Sequence, residues 1–195
     1  MLVLGSKLNN IPIMGLQTGT KLASTKTPII DPSNLKILAY EVEGPLLVDN
    51  PSYIRIADIR ELSNIGMIID SNEEFIALDD VIAIKKICEL NFNLIGLLVV
   101  DDSKRKLGKV NDFIVDTSSF VIQQLSVKRG VIKSLSETDL LIHRSQILEI
   151  NDYQIIVKSP TKKLESIEKI KELTYLNPFR QSNPQTENIT LKNQA

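Results

Sequence analysis

The chain has almost none of the residues from which reactive or metal-binding sites are built. It contains one cysteine, Cys88, and one histidine, His143, in 195 residues. A single cysteine excludes an internal disulfide framework, and one cysteine with one histidine on different elements does not make a metal site. No partner residue of catalytic type is spaced near His143, so a Ser/His/Asp or Cys/His set is not supported. We therefore expect no catalytic, cofactor-binding or metal-binding residues.

Long hydrophobic runs and an excess of one charge are also absent. The longest apolar run, Leu94–Val100, is strand-sized and contains Gly96, whereas a membrane span needs about 20 apolar residues. The first 15 residues lack the charged leader and apolar core of a signal peptide. With 23 basic and 24 acidic residues, the formal net charge is −1. These features predict a cytoplasmic protein without a membrane span that is not a globally basic nucleic-acid binder.

An internal repeat is the strongest pattern that is present. An offset of 85 residues places Leu22 on Leu107, Asp31 on Asp116 and Ile37 on Ile122. An offset of 88 then aligns the segment from Tyr53 with the segment from Leu141. Because apolar, acidic and turn positions agree in order over both segments, we interpret the chain as two copies of one unit.

Each copy has the pattern of several short strands separated by turns. The sequence FVIQQLSV, for example, alternates apolar and polar residues as a half-buried strand does. A single sheet of this size would leave exposed edges, so we expect each copy to close into a small barrel. The predicted fold is mainly β, with repeat 1 at 1–78, a helical linker at 79–91, repeat 2 at 92–160, a C-terminal helix at 161–176 and a disordered tail at 177–195.

The linker helix is predicted over Asp79–Leu90. Asp79 is its expected capping residue, and Val81, Ile84, Ile87 and Cys88 have helical spacing. Cys88 is then a small hydrophobe on the packed face. The carboxylate pair Asp79-Asp80 is interpreted as the start of this helix, and Asp101-Asp102 as a hairpin turn.

The second copy resembles the PRC-barrel family. The residues that carry the resemblance are Leu107-Gly108-Lys109-Val110, the turn at Asp116 and the apolar set Ile147, Ile150 and Ile155–Val157. In the first copy Leu22-Ala23-Ser24-Thr25 replaces the Leu-Gly-x-Val step. The family includes the cytoplasmic part of the photosynthetic reaction-centre H subunit and the C-terminal domain of a ribosome-maturation factor. The resemblance implies a small β-barrel used for protein–protein contact, with no catalytic residues to carry over.

One basic cluster is a candidate interaction surface. It comprises Lys104, Arg105, Lys106, Lys109, Lys128 and Arg129. If these loops share one end of the barrel, they could meet RNA phosphate or an acidic partner. No aromatic residues are interleaved with them to stack bases, and a solvated hairpin tip is the simpler interpretation.

Three functions remain open at this stage. The first is a non-enzymatic adaptor that binds a protein partner through strand edges, a groove or the tail. The second is an RNA-processing or ribosome-assembly accessory factor that uses the basic loops of the second copy. The third, and least favoured, is an enzyme. The sequence identifies neither the partner nor the oligomeric state.

Overall fold

The computed structural model describes residues 1–129 and 139–159. The contacts among them group Met1–Ser159 into one unit. The predicted C-terminal helix at 161–176 and tail at 177–195 lie outside the described residues. No helix in the described part of the chain is long and apolar enough to cross a membrane.

The described chain is mainly β, as predicted. Its first half contains the strands β1 (Leu2–Leu4), β2 (Pro12–Gly15), β3 (Lys21–Asp31), β4 (Lys36–Glu43), β5 (Ser52–Arg55), β6 (Glu61–Ser63), β7 (Gly66–Ile69) and β8 (Phe75–Ala77). One α-helix, α1 (Ile82–Glu89), follows among the described residues. The second half contains β9 (Leu98–Asp101), β10 (Lys106–Asp116), β11 (Val121–Lys128), β12 (Leu140–His143), β13 (Ile147–Ile150) and β14 (Gln154–Val157).

The strand pairings of the first half recur in the second. In the first half β2 pairs with β3 and, in parallel, with β7, while β4 pairs with β3 and β5, and β6 with β7. In the second half β9 pairs with β10 and, in parallel, with β14, while β11 pairs with β10 and β12, and β13 with β14. The register shifts also fall at equivalent places. In the β2–β3 pair the shift lies between Lys21 and Ala23, and in the β9–β10 pair it lies between Lys106 and Gly108.

Within the described residues the sheet does not close into the two barrels predicted from the sequence. The ladder is one open sheet in the order β13-β14-β9-β10-β11-β4-β3-β2-β7-β6, with other strands attached beside this path. The strands that would close each half are consecutive in the chain, β5 with β6 and β12 with β13. They are joined by 3-10 turns at Ile56–Asp58 and Arg144–Gln146. Among the described residues no ladder forms between the strands that flank either turn.

The halves join where β4 meets β11. The backbone N–H of Ile37 donates to the carbonyl of Phe120, and that of Ile122 donates to the carbonyl of Leu35, both at 2.9 Å. Residues 35 and 37 are equivalent to 120 and 122 at the offset of 85, so the two bonds are related by a local two-fold axis near Lys36 and Val121, which pair directly. One sheet therefore runs through both halves.

The two long hairpins are β3–β4 and β10–β11. The last turn residue of each has the same unusual backbone. Leu35 and Phe120 have φ angles of 56° and 53°, a left-handed conformation that costs a non-glycine residue about 1–2 kcal/mol. Both side chains are buried, and both backbone N–H groups donate back across the turn, to the carbonyls of Asp31 and Asp116. The burial offsets the conformational cost and presents both carbonyls to the junction.

The N-terminal strand pairs with the second half, and among the described residues with no strand of its own half. β1 pairs with β10 through Leu2↔Asp116, Val3↔Val115 and Leu4↔Ile114. The N–H of Thr117 donates to the carbonyl of Met1 at 2.9 Å. The sequence boundaries placed this segment in the first repeat, because no local pattern shows that it crosses to the second half.

The linker helix begins three residues later than predicted, at Ile82. Asp80 does not cap it, since its carboxylate accepts the N–H of Ala77 and closes a 3-10 turn at Leu78–Asp80. Asp79 pairs instead with Lys85 at 2.7 Å. Val81 has an extended backbone and occupies the N-cap position without a side-chain capping bond, so the helical backbone starts at the next residue.

A close approach of two strands is accommodated by different glycines in the two halves. A Cβ on Gly108 would lie 2.2 Å from the carbonyl oxygen of Lys128, and its φ is +154°. The equivalent residue in the first half is Ala23, and there the room is made on the opposite strand, where a Cβ on Gly44 would lie 2.7 Å from the carbonyl oxygen of Leu22. The first copy thus has Ala23 where the second has Gly108, and it has a glycine, Gly44, on the facing side of the strand pair instead.

Gly108→Ala is therefore expected to lower the free energy of unfolding by about 2 kcal/mol or more, from backbone strain and the contact with Lys128. Chemical denaturation measures the change. Gly96→Ala is the matched control, since Gly96 also has a positive φ but nothing within 4 Å of its Cβ position. Equal losses in the two variants would show that the contact with Lys128 contributes nothing.

The core of the first half contains an unsatisfied hydroxyl. Tyr40 on β4 is fully buried, and among the described residues its hydroxyl oxygen is the buried side-chain polar atom without a hydrogen-bond partner. Burial raises the pKa of this phenol. An unpaired buried hydroxyl opposes folding because the solvation lost on burial is not replaced.

We expect Tyr40→Phe to raise the free energy of unfolding by about 1 kcal/mol, because it removes the unpaired group and keeps the ring. Urea denaturation compared with Tyr153→Phe tests this, since Tyr153 is 83% exposed and its change should be neutral. A destabilised Tyr40→Phe protein would show that the hydroxyl makes a favourable interaction.

Candidate interaction surface

The basic residues identified in the sequence lie at two places on the second half. Lys104 and Arg105 belong to the turn between β9 and β10, and Lys106 begins β10. Lys109 lies farther along β10, while Lys128 ends β11 and Arg129 follows it. All six side chains are exposed. The surface is therefore a stretch of β10 and its neighbouring strand end, rather than a loop tip alone.

Asp101 builds the turn that carries Lys104 and Arg105. Its carboxylate accepts the backbone N–H groups of Ser103 and Arg105, each at 2.9 Å, and the Nε of Arg105 at 2.7 Å. Burial acts to raise the pKa of Asp101, but the backbone and side-chain hydrogen bonds from Arg105 outweigh it and hold the pKa below its usual value. The interpretation of Asp101 as a turn residue agrees with this geometry.

Arg105 is consequently not available to a partner in the way the other cations are, because its guanidinium is held by Asp101. For Lys104, Lys106, Lys109, Lys128 and Arg129, no ion pair is present within the described residues. Five of the six predicted surface cations therefore remain without a neighbouring counter-charge in this part of the chain.

Two of these cations stand directly opposite each other. Lys109 on β10 and Lys128 on β11 are Cα partners in the antiparallel ladder, and we call them the lysine pair. Opposed residues on one face have Cβ atoms about 5 Å apart, so like charges there repel. An anion bound between the two ammonium groups would convert that repulsion into attraction.

The equivalent position in the first half has the opposite character. Ser24 pairs with Glu43 there, and the neighbouring Glu41 is bonded to Lys26 at 2.8 Å. The hydrogen bond to Glu41 raises the pKa of Lys26. The two opposed basic side chains are thus a feature of the second half alone at this position.

Two grooves lie where the long-hairpin turn of one half meets the last strand pair of the other. One, of about 300 Å³, is lined by the turn Pro32–Leu35, by Arg144 and by β13. The other, of about 510 Å³, is lined by Thr117, Leu62–Asn64, Gly66, Pro12 and the N-terminal residues Met1, Val3, Lys7, Leu8 and Ile11. The N-terminal segment accounts for most of the apolar wall of the larger groove.

The N-terminal segment was missed by sequence reasoning. Its terminal ammonium contacts Asp116 at 3.1 Å, and Ser6 donates to Asp112 through its N–H and its hydroxyl. Hydrogen bonds from the hydroxyl of Ser118, then from Ser119 and the terminal ammonium, lower the pKa of Asp116. The one sequence signal was the apolar run Leu2–Leu4, which had no partner strand in its own half.

His143 and Cys88 have structural positions. His143 ends β12. Its Nδ1 accepts the N–H of Ser145, and through this hydrogen bond His143 caps the following 3-10 turn. Cys88 is half-buried on α1, where burial raises the pKa of its thiol. Among the residues described, no group of three or more His, Cys, Asp or Glu side chains is arranged to hold a metal ion.

Comparison with known families agrees with the strand pattern of the second half. Residues 91–164 match the model of the PRC-barrel domain. The matched range starts at the end of the linker and includes β9 to β14. No curated protein matches the chain.

Proposed function

We propose that this chain is a non-enzymatic protein-binding or assembly module made of two PRC-type units, since residues 91–164 match the model of the PRC-barrel domain. The second unit is the matched segment, and the first is a related copy at 1–78. The recurrence of the same pairings and register shifts at offsets of 85 and 88 residues supports this organisation. The left-handed backbone that Leu35 and Phe120 share at the turns of both long hairpins also supports it.

The observation that carries the proposed function is the lysine pair. Two opposed ammonium groups destabilise the strand pair that holds them, and within the described residues no carboxylate neutralises them. Arg129 adds a third cation at the end of β11. An acidic protein surface provides the missing counter-charge, and complementarity of this kind raises the association rate and selects the partner.

An RNA-processing or ribosome-assembly role is the second candidate, because phosphate groups would satisfy the same cations. The aromatic residues of the described second half offer it limited support. Phe113 and Phe120 are buried, and Phe92 is half-buried. Tyr153 is exposed and precedes Gln154, which the registers Gln154↔Leu98 and Leu98↔Lys109 place two strands from Lys109. Among these residues a single exposed ring is therefore present for base stacking beside the phosphate contacts.

We propose no catalytic role for the polar groups that the sequence singled out. His143 caps a turn, Asp101 shapes the β9–β10 hairpin, and Asp79 is paired with Lys85. Each has a task in holding the backbone. His143 Nδ1 also lies 2.8 Å from the hydroxyl oxygen of Ser145, within the same turn that it caps.

Charge reversal of the lysine pair, Lys109→Glu with Lys128→Glu, is expected to reduce recovery of an in-cell crosslinked partner about tenfold. The control is Lys21→Glu with Lys86→Glu, which makes the same change in net charge at two exposed lysines elsewhere. Recovery that survives ribonuclease indicates a protein partner, whereas loss after ribonuclease favours the RNA candidate. Equal recovery from both double variants and the unaltered chain would contradict a role for the lysine pair.

A further inference from the structure

One strand edge is covered in the first half, while the equivalent edge in the second half is uncovered by any of the described residues. In the first half β8 pairs antiparallel with β5 through Ser52↔Ala77, Tyr53↔Ile76 and Ile54↔Phe75. The strand equivalent to β5 at the offset of 88 is β12. Within the described residues β12 pairs with β11 on one side and with no strand on the other.

The side chains on β12 show the same difference. Tyr53 on β5 is 6% exposed, whereas Leu141, the equivalent residue on β12, is 54% exposed. Its neighbour Ile142 points inward and is buried. An exposed leucine beside an open row of backbone donors and acceptors is the combination to which an extended peptide adds as a strand.

β12 also lacks the features that protect another open edge in this chain. That edge is on β3, the equivalent of β10. The N–H of Thr117 after β10 donates to Met1 and anchors β1. The residue at the equivalent place after β3 is Pro32, which has no N–H to anchor a strand. Pro28 likewise replaces Phe113. Prolines on an edge prevent strand addition, and Leu140–His143 contains none.

The chemistry of a fitting segment can be read from β8. Its apolar residues Phe75–Ala77 are preceded by Glu73 and Glu74, and in the antiparallel register Glu74 approaches Arg55, whose pKa it helps to raise after the larger effect of Asp58. The equivalents of Arg55 and Ile56 are His143 and Arg144. A segment on β12 would therefore meet His143 where β8 meets Arg55, and Arg144 in place of Ile56; the guanidinium of Arg144 also donates to the carbonyl of Asn34 at 3.2 Å.

We propose that the free edge of β12 is a docking site for an extended segment of a protein partner, in which acidic residues precede a short apolar strand. The segment pairs antiparallel with Leu140–Ile142, covers Leu141, and places its acidic residues beside His143 and Arg144. This inference rests on the proposed binding function but uses a different surface from the lysine pair.

A labelled synthetic peptide with the sequence of residues 72–80, NEEFIALDD, is the probe, titrated into the full chain by fluorescence anisotropy. Saturable binding is expected. Leu141→Asp should weaken it at least about tenfold, because the added carboxylate is desolvated and repels the probe. Leu148→Asp is the matched control, since Leu148 is 52% exposed on β13, and it should leave binding unchanged. Circular dichroism establishes that both variants are folded.

Two further arms locate the contact. A peptide with Ile76→Pro, which removes the central backbone donor, should not bind. In a separate peptide without the proline, a photoreactive leucine in place of Ile76 should crosslink to Leu140–His143.

Absence of saturable binding, the result expected if other residues of the chain or a second copy already occupy the edge, would overturn the proposal. So would equal losses in Leu141→Asp and Leu148→Asp. Because the lysine pair is unaltered in every arm, failure here leaves the charge-reversal experiment as an independent test.

Discussion

Two backbone hydrogen bonds across β4 and β11 are the constraint on which the arrangement of the two halves depends. They join Ile37 to Phe120 and Ile122 to Leu35, and they require Leu35 and Phe120 to keep their left-handed backbone. The burial of these two side chains anchors the ends of both long hairpins in the core. Because the bonds are related by a local two-fold axis, each hairpin turn is brought against the last strand pair of the other half, where the two grooves lie.

The functional features lie where this local symmetry is broken. Lys109 and Lys128 face each other at a position that holds Ser24 and Glu43 in the first half. The edge of β5 is covered by β8, while that of β12 is open among the described residues. The same strand pairings thus support different surface chemistry in the two halves, and the second half carries both candidate contacts.

Local pattern was sufficient to predict the features that depend on neighbours in the chain. The alternation in FVIQQLSV predicted β11, and the Asp31 and Asp116 turns close the hairpins as expected. Long-range pairing was not predictable: β1 depends on Val115, and β8 depends on Ser52 and Ile54. The sequence identified Lys109 and Lys128 as basic residues, but only the register places them opposite each other. The open sheet was missed because barrel closure was inferred from the edges that a small separate sheet in each copy would expose, whereas the two halves join into one sheet through β4 and β11.

Native-state hydrogen exchange at the amides of Ile37 and Ile122 tests the central claim most directly. If the junction holds both halves in one cooperative unit, both amides exchange only by global unfolding, with equal free energies of opening that match the value from denaturation. The contradictory result would be exchange of these two amides at a much lower free energy while the core amides of Ile54 and Leu125 stay protected, because the halves would then separate without unfolding.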